Sequence, residues 1–258
     1  MRRTIPVRRS ILIRGFIMSG MSILICELVG TALLVLLGDG VCMNINLNKS
    51  GQKGGGACLC GIGWGLAVMV PAFIFGKATG AHFNPAVTIA LAVNGSVGWG
   101  TVPFYLIGEM VGGFIGASIL TLMYHDHLAA TPENDVKRGC YCTAPSIRNT
   151  GLNFLSEFID TFVLMFAILG IGQTVAGDTG LNFVFVWAII TAIGMSFGGV
   201  TGYAMNAARD FSPRLAFALF CPGDNKDPDW GYSWIPVVAP ICGAVVAALV
   251  YGVMPFPA

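Results

Sequence analysis

Two asparagines occupy matched positions in the two halves of the chain. Residues 79–86 read T-G-A-H-F-N-P-A, and residues 201–208 read T-G-Y-A-M-N-A-A. Asparagine is a preferred N-cap residue, and proline suits the first helical position because its missing N–H is not needed there. The pattern therefore predicts that one helix begins after Asn84 and another after Asn206. Each asparagine side chain also has two N–H donors, which can bind a hydroxyl group or water.

Three charged residues lie within or directly beside long apolar stretches. Glu27 and Glu157 open the related sequences E-L-V-G-T and E-F-I-D-T, and Arg209 follows the second asparagine motif. Ionisable side chains inside a membrane are costly and are functional candidates by default. The guanidinium of an arginine presents a fork of donors that suits the hydroxyls of a neutral solute, and its charge repels cations.

The composition indicates that these residues belong to a membrane protein. The 258 residues are 55% hydrophobic and 10% charged, whereas soluble domains carry about 25% charged residues. A helix needs roughly 20 apolar residues to cross the bilayer core, and six stretches are long enough. They comprise residues 15–38, 54–76, 99–124, 151–176, 179–208 and 230–258.

Two shorter apolar pieces, residues 84–93 and 206–219, each follow the second span of one half. Pieces of about 10 to 14 residues are too short to cross, so we expect re-entrant half-helices. Because each half then has three spans, the second half must be inverted relative to the first. Inverted repeats place a solute site at the midplane, where broken helices meet. We predict an all-α membrane protein with six transmembrane helices and two re-entrant half-helices in an inverted 3+3 repeat.

The basic residues near the N-terminus predict the orientation. Five arginines precede the first span, so the positive-inside rule places the N-terminus in the cytoplasm, and six crossings return the C-terminus to the same side. We expect a multi-pass plasma-membrane protein with both termini cytoplasmic. Its predicted parts are a cytoplasmic segment 1–20 and a single channel domain 21–255, which divides into repeat one 21–124, an outer connecting loop 125–150 and repeat two 151–255.

The two motifs resemble those of the aquaporin (major intrinsic protein) family, and most closely those of its glycerol facilitators. The resemblance covers residues 20–255 and rests on G-A-H-F-N-P-A-V-T at 80–88 and T-G-Y-A-M-N-A-A-R-D-F-S-P at 201–213. The family has N-P-A twice, whereas the second motif here is N-A-A. Alanine keeps the half-helix but loses the preset φ of proline. The pore motifs implied by the resemblance are Asn84, Pro85, Ala86, Asn206, Ala207 and Ala208.

The resemblance also implies a constriction on the extracellular side. Trp64 and Tyr203 would supply apolar walls for the carbon face of glycerol, and Arg209 would donate to its hydroxyls. Gly194 leaves room where a water-selective member has a bulky histidine. Tyr203 departs from the more usual phenylalanine. The alternative for Trp64 is an aromatic residue at the lipid interface.

Several polar residues would support the pore. The resemblance implies that Glu27 and Glu157 accept N–H bonds from irregular loops; the alternative is a proton relay, although no chain of buried lysines or histidines accompanies them. His82 either lines the pore or bonds the re-entrant loop. Asp210 matches the glycerol-type pattern. Glu109 and Asp160 receive no role, although Asp160 lies one helical turn from Glu157.

The predicted outer loop contains His125-x-His127 and Cys140-x-Cys142. These are metal-ligand residue types, but their spacing matches no standard zinc pattern. We therefore expect solvated histidines and no metal, and the residues leave open whether the two cysteines form a disulfide. The alternative is a metal site that gates the pore from outside.

The sequence thus predicts a passive channel and not an enzyme. It would conduct glycerol and other small neutral polyols with some water, exclude protons and ions, and need no cofactor. With a net charge of +1, nucleic acid is not an expected partner. Membrane lipid and, by the resemblance, a homotetramer are expected; Gly112, Gly113 and Gly116 suit close helix contacts. The alternatives are a channel mainly for water, urea or metalloid hydroxides, and a secondary transporter.

Overall fold

A computed structural model describes residues 19–224 and 226–256, and these residues form helices joined by loops. A short 3₁₀ turn, Val175–Asp178, adds to the α-helices. The α-helices are α1 Gly20–Asn46, α2 Gly56–Thr79, α3 Pro85–Val93, α4 Val102–Met123, α5 His125–Ala129, α6 Asn134–Gly139, α7 Thr150–Ile171, α8 Asn182–Thr201, α9 Ala207–Phe220 and α10 Ile235–Gly252.

Six of these helices are long and apolar enough to cross a membrane, namely α1, α2, α4, α7, α8 and α10. The predicted all-α membrane fold is confirmed. The first span differs most from its prediction, because α1 continues past residue 38 to Asn46. The charge at Asp39 does not end the helix, since its side chain is fully buried against a positive partner. Nearly all of the predicted cytoplasmic segment 1–20 lies outside the described residues.

The short helices α3 and α9 hold the two halves together. Helix α3 packs against α10, and α9 packs against α4, so each half-helix lies on the third span of the opposite half. The spans α1 and α4 pack closely in the first half, as do α7 and α10 in the second. This exchange places the N-terminal ends of α3 and α9 in the interior, between the repeats.

Glycines on α4 allow its backbone to touch two other helices. A Cβ atom at Gly112 or Gly116 would lie 2.2 or 2.6 Å from backbone oxygens of α1, and one at Gly113 would lie 2.3 Å from a backbone oxygen of α9. Such distances exclude any side chain, which is the usual reason for small residues where membrane helices meet. These three glycines therefore serve packing within the chain, and they are no argument for a homotetramer.

A candidate pore between the half-helices

The two asparagines cap the half-helices in the same way. The Asn84 side chain accepts the N–H of Ala86 at 2.9 Å, and Asn206 accepts that of Ala208 at 2.9 Å. The backbone dihedrals of Asn84 are φ −157° and ψ 113°, and those of Asn206 are φ −158° and ψ 113°. Alanine at position 207, where the family has proline, thus leaves the cap geometry unchanged.

The same asparagines also join the two repeats. The side-chain nitrogen of Asn84 donates to the carbonyl of Met205 at 2.8 Å, and that of Asn206 donates to the carbonyl of Phe83 at 2.7 Å. Each side chain therefore donates one of its two N–H groups to the loop of the opposite repeat. The sequence predicted two donors per asparagine for the lumen, whereas the structure leaves one.

Glu27 anchors the loop that precedes α3. Its carboxylate accepts the backbone N–H groups of His82 at 3.3 Å and Phe83 at 2.7 Å, and the hydroxyl of Thr79 at 2.5 Å. Ala81 and Phe83 have φ values of 56° and 49°, in the left-handed region that residues with a side chain rarely adopt. The carboxylate stabilises a loop conformation that the local sequence alone would not favour.

Glu157 anchors the equivalent loop before α9. It accepts the N–H groups of Ala204 and Met205, each at 3.0 Å. Tyr203 and Met205 have φ values of 41° and 52°, which repeats the backbone pattern of the first loop. Both carboxylates are thus engaged with backbone donors, and this geometry favours loop anchoring over a proton relay.

His82 connects its loop to a buried polar chain. Its Nδ1 lies 2.9 Å from the hydroxyl of Thr88, which donates to Glu109 at 2.7 Å. The imidazole also stacks on Tyr105, with ring centroids 4.3 Å apart. His82 therefore bonds a residue of α3, and it also lines an interior cavity. Glu109, to which the sequence assigned no role, is the end of this chain.

Three cavities follow one another through the interior. A first cavity of about 330 Å³ is lined by His82, Asn84 and Asn206. A neck of about 40 Å³ is lined by both asparagines and by Trp64, Tyr203 and Arg209. A second cavity of about 690 Å³ is lined by the same aromatic residues and arginine, and by residues of the connecting loop. Neighbouring cavities share lining residues, so the three lie in a row, here called the passage, with the smallest cavity in the middle.

The four residues that the resemblance implies for a constriction meet beside this neck. The Arg209 guanidinium lies 3.6 Å from the centroid of the Trp64 ring, which is cation–π geometry. A Cβ atom at Gly194 would lie 2.8 Å from the Tyr203 ring, and one at Gly38 would lie 2.2 Å from Trp64. Trp64 is only 4% exposed, so its alternative as an aromatic residue at the lipid interface is wrong.

Asp39 is a charged residue of the site that the sequence did not single out. Its Oδ1 lies 3.3 Å from Nη1 of Arg209, and both side chains are buried. The pair holds one edge of the guanidinium and leaves its other donors for the passage. A signal was present, because Asp39 interrupts an apolar run that continues for several residues beyond it. The span predicted for residues 15–38 ends one residue before Asp39.

Asp210 ties α9 to the connecting loop. One carboxylate oxygen accepts the backbone N–H and the hydroxyl of Thr143 at 2.6 and 2.7 Å. The other accepts from Arg214 at 2.8 Å, and Arg214 also donates to the carbonyls of Thr143 and Pro228. Asp210 thus positions the helix that carries Arg209, although it lines none of the three cavities described above.

The cysteines and histidines of the connecting loop do not form a shared site. Cys140 and Cys142 are free and buried, and their thiols donate to the carbonyls of Val136 and Arg138. Burial raises the pKa of both thiols, which keeps them protonated at neutral pH. The structure thus shows no disulfide here. His125 is exposed, and no cluster of three metal-ligand side chains occurs within residues 19–224 and 226–256.

Comparison with known proteins gives close relatives of the same kind. A probable glycerol uptake facilitator protein of Thermotoga maritima is 44% identical over 231 residues, which cover 90% of this chain and 98% of that protein. A glycerol uptake facilitator protein of Bacillus subtilis is 44% identical over 225 residues, or 87% of this chain and 82% of that protein.

A solved structure and a family model agree with these relatives. The X-ray structure of the aquaglyceroporin from Plasmodium falciparum aligns with a TM-score of 0.79 at 31% identity, covering 92% of this chain and 97% of that one. The model of the family described as Major intrinsic protein matches residues 18–251. The chain therefore belongs to the major intrinsic protein family.

Proposed function

We propose that this integral membrane protein is a passive channel for glycerol and other small neutral polyols. The observation that carries the proposal is the passage that narrows between Trp64, Tyr203 and Arg209, with both capping asparagines on its wall. The names of the relatives, which are glycerol uptake facilitators, support the same solute.

The chemistry of the neck matches the two sides of glycerol. The aromatic rings of Trp64 and Tyr203 give the carbon backbone an apolar wall. The donors of Arg209 that Asp39 does not bind can donate to the hydroxyl oxygens. Gly194 adds no side chain, so the ring of Tyr203 rests directly against α8 and the neck keeps the width that a polyol requires.

Ions and protons would be rejected by positive potential along the passage. The N-terminal ends of α3 and α9 each carry about half a positive charge from their helix dipoles, and Arg209 adds positive potential at the neck that its ion pair with Asp39 partly offsets. Water can follow the solute because it also accepts hydrogen bonds from the asparagine side chains. The absence of a side chain at Gly194 favours polyol passage over a channel mainly for water.

A rigid channel also fits better than a transporter with alternating access. Alternating access requires one repeat to rock against the other around a fixed site. Here Asn84 and Asn206 bond each repeat to the loop of the other, and each half-helix packs on the opposite half. Such exchanged contacts would have to break in every transport cycle.

The orientation and assembly belong to the same proposal. The arginines at residues 2–14 support cytoplasmic termini by the positive-inside rule. The second cavity, with Arg209, would then open toward the outside, because residues of the connecting loop line it. A homotetramer with one pore in each subunit is the assembly that family membership suggests.

Stopped-flow light scattering on proteoliposomes tests the proposal. After a sudden glycerol gradient, vesicles containing the full chain should shrink and then recover volume faster than empty vesicles, whereas a sucrose gradient should give lasting shrinkage in both. A protonophore should not change the glycerol rate. Glycerol recovery no faster than in empty vesicles would refute the channel, and uphill accumulation that collapses with the protonophore would establish the transporter instead.

A further inference from the structure

Two free thiols face each other next to the neck. The sulfur of Cys42, on α1, lies 3.7 Å from the sulfur of Cys60, on α2. Both residues line the second cavity, so a small solute that enters this cavity can reach them. The proposed channel function assigns no redox chemistry to either thiol.

The helices that carry the two thiols are in close contact at this level. A Cβ atom at Gly63 would lie 3.0 Å from the side chain of Val41, the residue before Cys42. A disulfide has a sulfur–sulfur distance of about 2.0 Å. The two sulfurs therefore need to approach by less than 2 Å in total, and side-chain rotation can contribute to this movement.

Cys42 is also part of the support of the constriction. The indole nitrogen of Trp64 donates to the Cys42 sulfur at 3.3 Å, and Trp64 in turn carries the Arg209 guanidinium on its ring. If the Cys42 sulfur moved toward Cys60, this buried N–H would lose its acceptor. An unpaired buried donor is costly, so the indole would shift to find another partner.

We propose that Cys42 and Cys60 form a redox-sensitive modification site, whose reversible disulfide slows solute passage through the neck. The oxidant class is a small peroxide such as hydrogen peroxide. The more exposed Cys60 thiol attacks one peroxide oxygen and becomes a sulfenic acid, releasing one water. The Cys42 thiol then attacks that sulfur and releases a second water. Two thiols and one peroxide thus give one disulfide and two waters.

The effect on passage rests on the proposed function, but the formation of the disulfide does not. Proteoliposomes of the full chain should be treated with hydrogen peroxide, blocked with N-ethylmaleimide and analysed by mass spectrometry after digestion. We expect a linked Cys42–Cys60 peptide. We also expect glycerol permeability to fall at least about twofold and to recover after dithiothreitol.

Matched variants separate this pair from the other thiols. Cys42→Ser keeps an acceptor for the indole nitrogen of Trp64, and Cys60→Ala removes the partner; both should abolish the linked peptide and the response to peroxide. Cys58→Ser is the control, because Cys58 is an exposed thiol on the wall of the same cavity, and this variant should keep both effects.

Three results would overturn the proposal. One is the absence of the linked peptide at peroxide concentrations that oxidise Cys58. Another is a link that joins Cys58 to either residue. A third is a peroxide response that persists in Cys42→Ser. A linked peptide without a change in glycerol permeability would refute the effect on passage. A channel that never conducts glycerol would refute the proposed function, while the peptide would still decide whether the pair forms.

Discussion

Gly194 offers a sharp test of the constriction because the ring of Tyr203 rests against it. In the structure, a Cβ atom at Gly194 would lie 2.8 Å from Cζ and 3.0 Å from Oη of Tyr203. Carbon atoms in contact prefer a separation of about 3.5 Å or more. The substitution Gly194→Ala therefore requires the ring to move by about 0.7 Å. A Cβ atom at Gly198, also on α8, would lie 2.7 Å from the same ring, so we expect the ring to move away from α8, into the passage that it lines.

The expected result is a selective loss of glycerol permeability. Glycerol is wider than water, so a wall that moves inward raises its barrier more. For Gly194→Ala we expect glycerol permeability to fall about tenfold, which corresponds to about 1.4 kcal/mol of additional barrier. Water permeability should fall much less, and Gly194→His should lower glycerol permeability further.

Gly199→Ala is the matched control on the same helix. No other atom lies within 4 Å of a Cβ placed at Gly199, and the substitution brings the same gain in helix propensity. Stopped-flow light scattering with glycerol and sucrose gradients gives both permeabilities for each variant, normalised to protein content. Equal losses of water and glycerol in Gly194→Ala, or the same loss in Gly199→Ala, would show that this reasoning about the neck is wrong.

Three other substitutions test the supports of the neck. Asp39→Leu leaves Arg209 without its buried counter-charge, which should lower the free energy of unfolding by about 3 kcal/mol. Thermal unfolding in detergent measures the loss of stability, and an unchanged midpoint temperature would contradict the pairing. Glu157→Gln replaces one of the two carboxylate oxygens that accept from the second loop by an amide donor. We expect the free energy of unfolding to fall by about 1 to 3 kcal/mol and glycerol permeability to fall with it. Unchanged glycerol permeability would contradict the role of the carboxylate as an anchor. Ala207→Pro should change glycerol permeability by less than about twofold, because the cap dihedrals at Asn206 already match those of the first motif; a large gain would show that the natural pore is impaired.

Most of the fold could be predicted from the sequence because the thickness of the membrane fixes the length of the apolar helices that cross it. Helices that cross the bilayer need long apolar stretches, so the six spans could be counted directly. The two half-helices followed from the cap residues Asn84 and Asn206, whose local chemistry is the same wherever they lie in the fold. These predictions depend on short-range patterns, and the structure places α3 and α9 as the patterns indicated.

The details that the sequence did not contain are contacts between distant segments. The first span is predicted to end at residue 38, one residue before Asp39, because the pairing that removes the cost of this charge is with Arg209, far along the chain. The bond from Asn84 to the carbonyl of Met205 has no local signature either. Such pairings depend on how the repeats are placed relative to each other, and one sequence does not specify that placement.

Helix α1 supports the passage along most of its length while contributing little to its wall. Glu27 fixes the first loop, Gly38 seats the Trp64 ring, Asp39 holds Arg209 and Cys42 accepts the indole N–H. Glu27, Gly38 and Asp39 line none of the three cavities, whereas Cys42 lies on the wall of the second cavity. We therefore expect substitutions on α1, as well as those of the lining residues, to change the selectivity of the neck, and the proposed thiol pair gives this helix a point where oxidation can act.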